Sequence, residues 1–200
     1  MLKRILLWIG TVFVAAFMIF TAEAIITQQT LSEKTLRLHI VANSDRAEDQ
    51  AQKLRLRDHI LHEIKEMTGG CSELQEAEKI ISSRLSRVEK SAREFLRAEG
   101  SSYGVSVTLC KESFATRDYD TFSLPAGEYH SLRIIIGEGQ GKNWWCVVFP
   151  SLCNAGTMEE LERAAEIGGY NDTECDFIRH ETPKYRLQFK VLEWLRGVFH

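Results

Sequence analysis

The 200-residue chain lacks a large charge excess, internal repeats and low-complexity tracts. Its formal net charge is −3, which argues against a nucleic-acid-binding protein, because such proteins need a basic face. Apolar residues make up 44% and charged residues 26% of the chain, a composition that excludes wholesale disorder. The length suits one folded domain with its own hydrophobic core.

A nucleotide-binding loop is also missing, although glycines at 137, 139 and 141 precede Lys142. Their spacing differs from that of a phosphate-binding loop, and Asn143 occupies the place of the metal-binding Ser or Thr. We therefore interpret the glycines as turn residues whose backbone needs positive φ angles, and we predict no cofactor.

Catalytic and metal-binding signatures are equally weak. His59 and His62 lack the H-E-x-x-H order and further ligands, so we predict no metal site. The G-x-S-x-G signature of serine hydrolases does not occur. Cys146 with His39 or His130 is a candidate nucleophile and base, but a thiol buried in an apolar strand is unreactive. We predict that the protein is not an enzyme.

The first 24 residues have the pattern of a secretory signal peptide. A positively charged start precedes an apolar run of about 16 residues at 5–20, and an A-x-A site ends at Ala24. The run is shorter than the roughly 20 residues that span a bilayer, so a retained anchor is the alternative to cleavage after Ala24. Either segment places the rest of the chain outside the cytoplasm, and 25–35 are expected to form a linker.

Export changes the interpretation of the five cysteines, which are Cys71, Cys110, Cys146, Cys153 and Cys175. Disulfides form in oxidising compartments, and an odd number leaves at least one thiol unpaired. We predict a bond between Cys146 and Cys153, because Pro150 between them favours a turn. The alternative is that both are small buried hydrophobic residues.

Alternation and turn signals predict an α+β fold, with a single domain over 36–200. Apolar alternation predicts a strand at 36–40, after which Asn43-Ser44-Asp45 is expected to cap a helix. The apolar stripe of this helix is predicted at Ala47, Ala51, Leu54, Leu61 and Ile64, and Asp58, which interrupts it, is expected to pair with a neighbouring Arg. Ser72 and Gln75 form a predicted capping box for a second helix that ends at Gly100.

The remainder alternates between strand and helix patterns. A strand is predicted at 103–110, and strands at 132–136 and 145–149 are expected to pair locally across the glycine-rich connection. A short helix is predicted at 157–167. Thr182-Pro183 is typical of a helix start. The segment 184–199 carries both a strand-like alternation and helical spacing, and of the two we predict a helix.

Two features are candidates for partner binding. Trp144 and Trp145 are neighbours on a predicted strand, so one side chain points into the core and the other outward. An outward Trp, with Asn143 beside it, is a typical interface residue; the alternative is that helices cover both. The basic and aromatic residues of 184–199 predict either a docked core helix or peripheral membrane contact.

Two sequence blocks carry a resemblance to a known family. The first is LRLHIVANSD at 36–45, followed by EDQA at 48–51 and LRLRD at 54–58. The second is YHSLRIIIGEGQGKNWWCVVFPSLC at 129–153. The chain resembles the stage II sporulation protein R family of endospore-forming bacteria over roughly residues 36–195.

The resemblance implies a signal between two compartments. Such proteins are exported from the forespore into the space between forespore and mother cell. There they activate a membrane-embedded aspartic protease that removes the pro-sequence of sigma-E. The residues alone leave two alternatives, an exported cysteine-dependent enzyme and a membrane-anchored structural envelope protein.

Overall fold

The computed structural model describes residues 1–179 and 183–199, which divide into two compact units. We call Ser32–Ser113 with Glu128–Tyr170 the sheet unit. Met1–Leu31, Phe114–Gly127 and the described residues after Tyr170 form the terminal unit. The elements in chain order are α1 (Leu2–Glu33), β1 (Leu36–Val41), α2 (Ala47–Thr68), α3 (Leu74–Ser83), α4 (Leu85–Ala98), β2 (Val105–Phe114), β3 (Arg117–Asp118), β4 (Ser123–Leu124), β5 (Gly127–Ile136), β6 (Asn143–Phe149), a 3-10 helix (Leu152–Asn154), α5 (Met158–Ile167), α6 (Asp172–Arg179) and α7 (Pro183–Phe199).

A four-stranded mixed sheet organises the sheet unit. Its strand order is β2-β5-β1-β6, with β1 parallel to β5 and antiparallel to β6. The strands predicted at 132–136 and 145–149 exist, but the prediction that they pair with each other is wrong. The first strand of the chain lies between them, because its alternating apolar residues complete the core face of both neighbours. The glycine-rich connection therefore crosses the end of β1.

Three helices cover one face of this sheet and form the main core with it. The sheet contributes side chains that alternate along each strand: Leu36, Leu38, Ile40, Leu132, Ile134, Ile136, Val105 and Val107. The helices contribute residues at helical spacing: Leu56, Ile60, Ile64, Leu74, Ala77, Ile81, Val88, Ala92 and Leu96. The α+β fold class and the strands predicted at 36–40 and 103–110 are thus confirmed.

The apolar stripe predicted for α2 is mostly wrong. Leu56, Ile60 and Ile64 are fully buried, whereas Ala47 and Ala51 are exposed. The first turns of α2 bury polar side chains instead, so the hydrophobic pattern gives the wrong face there. The expected fate of Asp58 is confirmed, since this exposed carboxylate pairs with Arg57 at 2.7 Å.

The second predicted helix is divided in two. α3 ends at Ser83 and α4 begins at Leu85, with Arg84 outside helical geometry between them. The predicted capping box is wrong, because Glu73 is the N-cap residue of α3 and no side chain caps it. Gly100, with φ of 80°, follows the last turn as predicted.

Two further helices differ in how well the sequence predicted them. α5 is confirmed, and Thr157 caps it by accepting a hydrogen bond from the Glu160 amide. α6 was missed, although Asn171 and Glu174 carry the reciprocal capping pattern that marks a helix start. The Glu174 amide donates to Asn171 Oδ1, and the Asn171 amide donates to Glu174 Oε2.

The terminal unit shows a single helix where a linker was expected. α1 continues through 25–33 because Ala24, Thr27 and Leu31, spaced three and four apart, are buried. Lys184 of α7 pairs with Glu23 at 2.6 Å. The predicted C-terminal helix is confirmed as α7, while Thr182 lies outside the described residues.

The apolar half of α1 is the candidate membrane segment. The helix is long and apolar enough to cross a bilayer, a property that a signal sequence near an N-terminus shares. Cleavage after Ala24 and retention as an anchor therefore remain the two predictions for this segment.

Substitution of two leucines in α2 tests which face of the helix is buried. We expect Leu56→Ala to lower the free energy of unfolding by about 3 kcal/mol, because it leaves a cavity in the core. Leu54→Ala, at a half-buried position of the same helix, should cost less than about 1 kcal/mol. Urea unfolding followed by circular dichroism measures both. Equal losses would contradict the assignment of the buried face.

Candidate functional site

The connection between β5 and β6 lies against the turn that follows β1, and we call 42–46 with 137–142 the double turn. The contact follows from strand order, because a chain passing from β5 to β6 must cross the end of β1. The Gln140 amide donates to the carbonyl of Asn43 at 3.1 Å, and the Gly141 amide to that of Ala42 at 2.9 Å. Backbone amides of the second turn thus donate hydrogen bonds to backbone carbonyls of the first turn.

Side chains of the first turn bind the second turn instead of capping α2. Asn43 Oδ1 accepts from the Glu138 amide at 3.0 Å, and Asp45 Oδ1 accepts from the Lys142 amide at 2.7 Å. The predicted cap by 43–45 is therefore wrong, since Arg46 is the N-cap residue and no side chain caps the helix. These polar side chains instead accept hydrogen bonds from backbone amides of a loop that is distant in sequence.

Asp49, which the sequence did not indicate as a site residue, binds three residues of the first turn. Only 4% of this residue is exposed. Its carboxylate accepts from Ser44 Oγ at 2.5 Å, from Asn43 Nδ2 at 3.0 Å and from Arg46 Nη2 at 3.1 Å. These hydrogen bonds, with that from Ser44 the strongest, outweigh the effect of burial and lower the pKa of Asp49 to about 2.

Lys53 also binds the second turn. It is 3% exposed and donates from Nζ to the Lys142 carbonyl at 2.8 Å and to Gln50 Oε1 at 2.7 Å. Burial lowers its pKa. A buried Asp and a buried Lys one turn apart on α2 are a sequence signal for a polar site, although each also fits an ordinary charged helix.

Two glycines allow the turns to approach. Gly137 has φ of 56°, and a Cβ at that position would overlap Asn43 Oδ1. A Cβ at Gly141 would overlap the Ser44 carbonyl, although the φ of Gly141 is not positive. The interpretation of the glycines as turn residues with positive φ is confirmed for Gly137 and Gly139 and is wrong for Gly141, where close backbone approach is the reason for glycine.

The double turn leads directly into the predicted binding residues at the start of β6. Asn143 is exposed, and its Oδ1 lies 3.0 Å from His39 Nε2. Trp145 is partly exposed and stacks on the His39 ring at 5.7 Å. Trp144 lies on the other face, packed against the core with the Arg57 guanidinium 4.5 Å above its ring. The two indoles therefore occupy opposite faces.

A row of side chains crosses the sheet face opposite the helices. His39 Nδ1 lies 3.2 Å from Glu112 Oε1, and Arg133 Nη1 lies 3.6 Å from the same oxygen. With Trp145 beside His39, the row includes one residue from each of the four strands. These contacts hold the His39 ring on which the Trp145 indole stacks. Sequence reasoning missed Glu112 and Arg133 because their proximity depends on strand order.

A disulfide joins Cys146 to Cys153, as predicted, with 5.9 Å between their Cα atoms. It ties β6 to the following 3-10 helix, and the Val147 amide donates to Cys153 Sγ at 3.2 Å. His39 and His130 contact Glu112 and Glu78 instead of Cys146. A sulfur held in a disulfide is not available as a nucleophile.

The other three cysteines are free thiols within the described part of the chain: Cys71, Cys110 and Cys175. Burial raises the pKa of each thiol, which favours the protonated, unreactive form.

The paired histidines of α2 do not come together with further metal ligands. Among residues 1–179 and 183–199, no group of three or more His, Cys, Asp or Glu side chains is arranged to hold a metal ion. His59 stacks on Phe95 and lies 2.8 Å from Ser91 Oγ, while His62 pairs with Glu66.

Comparison with known proteins identifies the family. A sequence profile of stage II sporulation protein R matches residues 32–159. The chain belongs to the stage II sporulation protein R family. The matched segment contains the double turn, Asn143, both tryptophans and the disulfide. The family resemblance of the two sequence blocks is thus confirmed.

Stage II sporulation protein R of Bacillus subtilis (strain 168) is one similar protein. It is 39% identical to this chain over 123 residues, which is 62% of this chain and 55% of the relative. The chain thus aligns with about half the length of that relative. No solved structure matches the chain.

Two glycine substitutions test the close approach of the turns. We expect Gly141→Ala to lower the free energy of unfolding by about 2 kcal/mol, because the methyl group displaces the Ser44 carbonyl. Gly104→Ala is the matched control, since a Cβ there meets no atom within 4 Å. Its effect should stay below about 0.5 kcal/mol. Urea unfolding compares the two, and equal effects would contradict the packing described here.

The Asp49 carboxylate predicts a pH dependence of stability. Its folded-state pKa lies below the ordinary value of 3.8, so the unfolded chain binds this proton first as pH falls. The stabilisation is present above about pH 4 and is lost as pH approaches about 2. We expect Asp49→Asn to lose about 2 kcal/mol at neutral pH and to show a shallower acid dependence.

The control for this experiment is Asp58→Asn, which removes a carboxylate of the same helix that is 65% exposed. Urea midpoints measured across the acid range would keep the wild-type pH dependence in this variant. An Asp49→Asn curve parallel to that of the wild type would refute the role of Asp49.

Proposed function

We propose that the chain is an exported signalling protein of sporulation that activates a membrane aspartic protease, which then processes pro-sigma-E. The observation that carries this proposal is the family match over 32–159. The matched relative is itself a stage II sporulation protein R. The protein acts by binding, and the chemistry belongs to the protease.

The place of action in this proposal is the space between forespore and mother cell. Support comes from α1, whose apolar half is suited to export or anchoring. The Cys146–Cys153 disulfide supports it independently, because such bonds persist in compartments outside the reducing cytoplasm.

The proposed contact with the protease is made by the start of β6. Trp145 supplies a partly exposed aromatic side chain that stacks on His39. The side-chain amide of the exposed Asn143 contacts the same histidine. Trp is enriched among residues that dominate binding energy. Hydrogen bonds of the double turn hold this segment before binding, so little conformational entropy is lost on association. Trp144 and the disulfide support the segment from within.

Reconstitution in a non-sporulating bacterium tests the proposed function. The full chain is produced with the candidate membrane protease and tagged pro-sigma-E, and processing is followed by gel shift. We expect processing that requires this chain and its export segment. Absence of processing, with the chain exported and folded and the protease active under another activator, would refute the proposal.

The two tryptophans give a matched pair of variants in that assay. We expect Trp145→Ala to remain folded and exported while processing falls at least tenfold, because a binding residue of this type contributes about 2 kcal/mol. Trp144→Ala should instead lower the free energy of unfolding by about 3 kcal/mol. If both variants only unfold, or if Trp145→Ala processes normally, Trp145 is not the contact.

A further inference from the structure

The terminal unit contains a cleft of about 530 Å³ that the proposed signalling contact does not use. Its walls are the β3–β4 hairpin with the connection between its strands, and the helices α6 and α7. The volume lies within the range of about 300 to 1,000 Å³ that is typical of small-molecule sites.

The helical wall of the cleft carries three cations and one carboxylate, Glu193. Arg179 at the end of α6 is joined on α7 by Arg186 and Lys190, four residues apart on one face. Arg179 is partly fixed, since its side chain is 17% exposed and lies 3.9 Å from Asp176. Arginine and lysine side chains placed together favour a carboxylate or a phosphate as the ligand group.

The hairpin wall is acidic and built by local contacts. Asp118 and Asp120 line it, and Ser123 Oγ donates to Asp118 Oδ1 at 2.5 Å. The Tyr119 amide donates to the Phe122 carbonyl at 2.8 Å, and the two rings stack with centroids 4.5 Å apart. This wall therefore presents two exposed carboxylates beside the partly exposed Tyr119 ring.

We propose that this cleft binds a short peptide with free termini. The three cations of the lining are balanced by Asp118, Asp120 and Glu193, so a simple anion or a simple cation would meet a wall of its own charge. A zwitterion satisfies both walls, with its carboxylate toward α6 and α7 and its ammonium group toward the hairpin. The partly exposed Tyr119 ring suits an aromatic residue between the two termini.

Titration calorimetry on the full chain in mild detergent tests the cleft. The probe is Ala-Phe-Ala with free termini, compared with its N-acetylated form, its C-amidated form and inorganic phosphate. We expect binding of the free peptide with a dissociation constant of about 1 mM or lower. Blocking either terminus should weaken binding at least tenfold, because each removes one charge-assisted contact.

Matched variants locate the site. Lys190→Gln removes a cation that lines the cleft, whereas Lys184→Gln removes one from the same helix outside it. Binding should weaken at least fivefold in Lys190→Gln and in Asp120→Asn, and stay unchanged in Lys184→Gln.

Three results would overturn the proposal. They are no binding of the free peptide, binding of phosphate as tight as that of the peptide, and equal effects of the two lysine substitutions. Circular dichroism on each variant separates loss of binding from unfolding. Signalling in the reconstituted assay is a separate readout, so failure of either proposal leaves the other testable.

Discussion

The Asp49 carboxylate and the two turns around it are the contact on which the sheet unit depends. The side chains of Asn43 and Ser44 donate hydrogen bonds to this buried carboxylate. Side-chain oxygens of Asn43 and Asp45 accept hydrogen bonds from backbone amides of the glycine-rich connection. Because β1 lies between β5 and β6, the connection crosses the end of β1. Loss of each of these hydrogen bonds would cost about 0.5–1.5 kcal/mol.

This contact also holds the start of β6, which is the proposed binding segment. The start of β6 is held by the double turn at one end, and the disulfide at Cys146 ties the middle of the strand to the following 3-10 helix. Its neighbouring tryptophans divide their roles by the alternation of a strand: Trp144 packs on the core and Trp145 stacks on His39. Restraint at both of these points fits the proposal that this segment contacts a partner.

The two units differ in the kind of surface they provide. The sheet unit presents a short aromatic and amide segment, and the family match covers nearly all of it. The terminal unit combines an apolar helix with a cleft whose walls carry opposite charges.

The sequence by itself determined the local elements and the family. Alternation identified the strands, helical spacing identified most of the helices, and Pro150 between two cysteines indicated the disulfide. Only the tertiary structure decided that β1 separates β5 from β6, that 43–45 bind a loop instead of capping α2, and that 25–33 continue α1. The reason is physical: periodicity records which face of an element is apolar. Strand order and the partners of polar side chains depend on residues about 95 positions away in sequence.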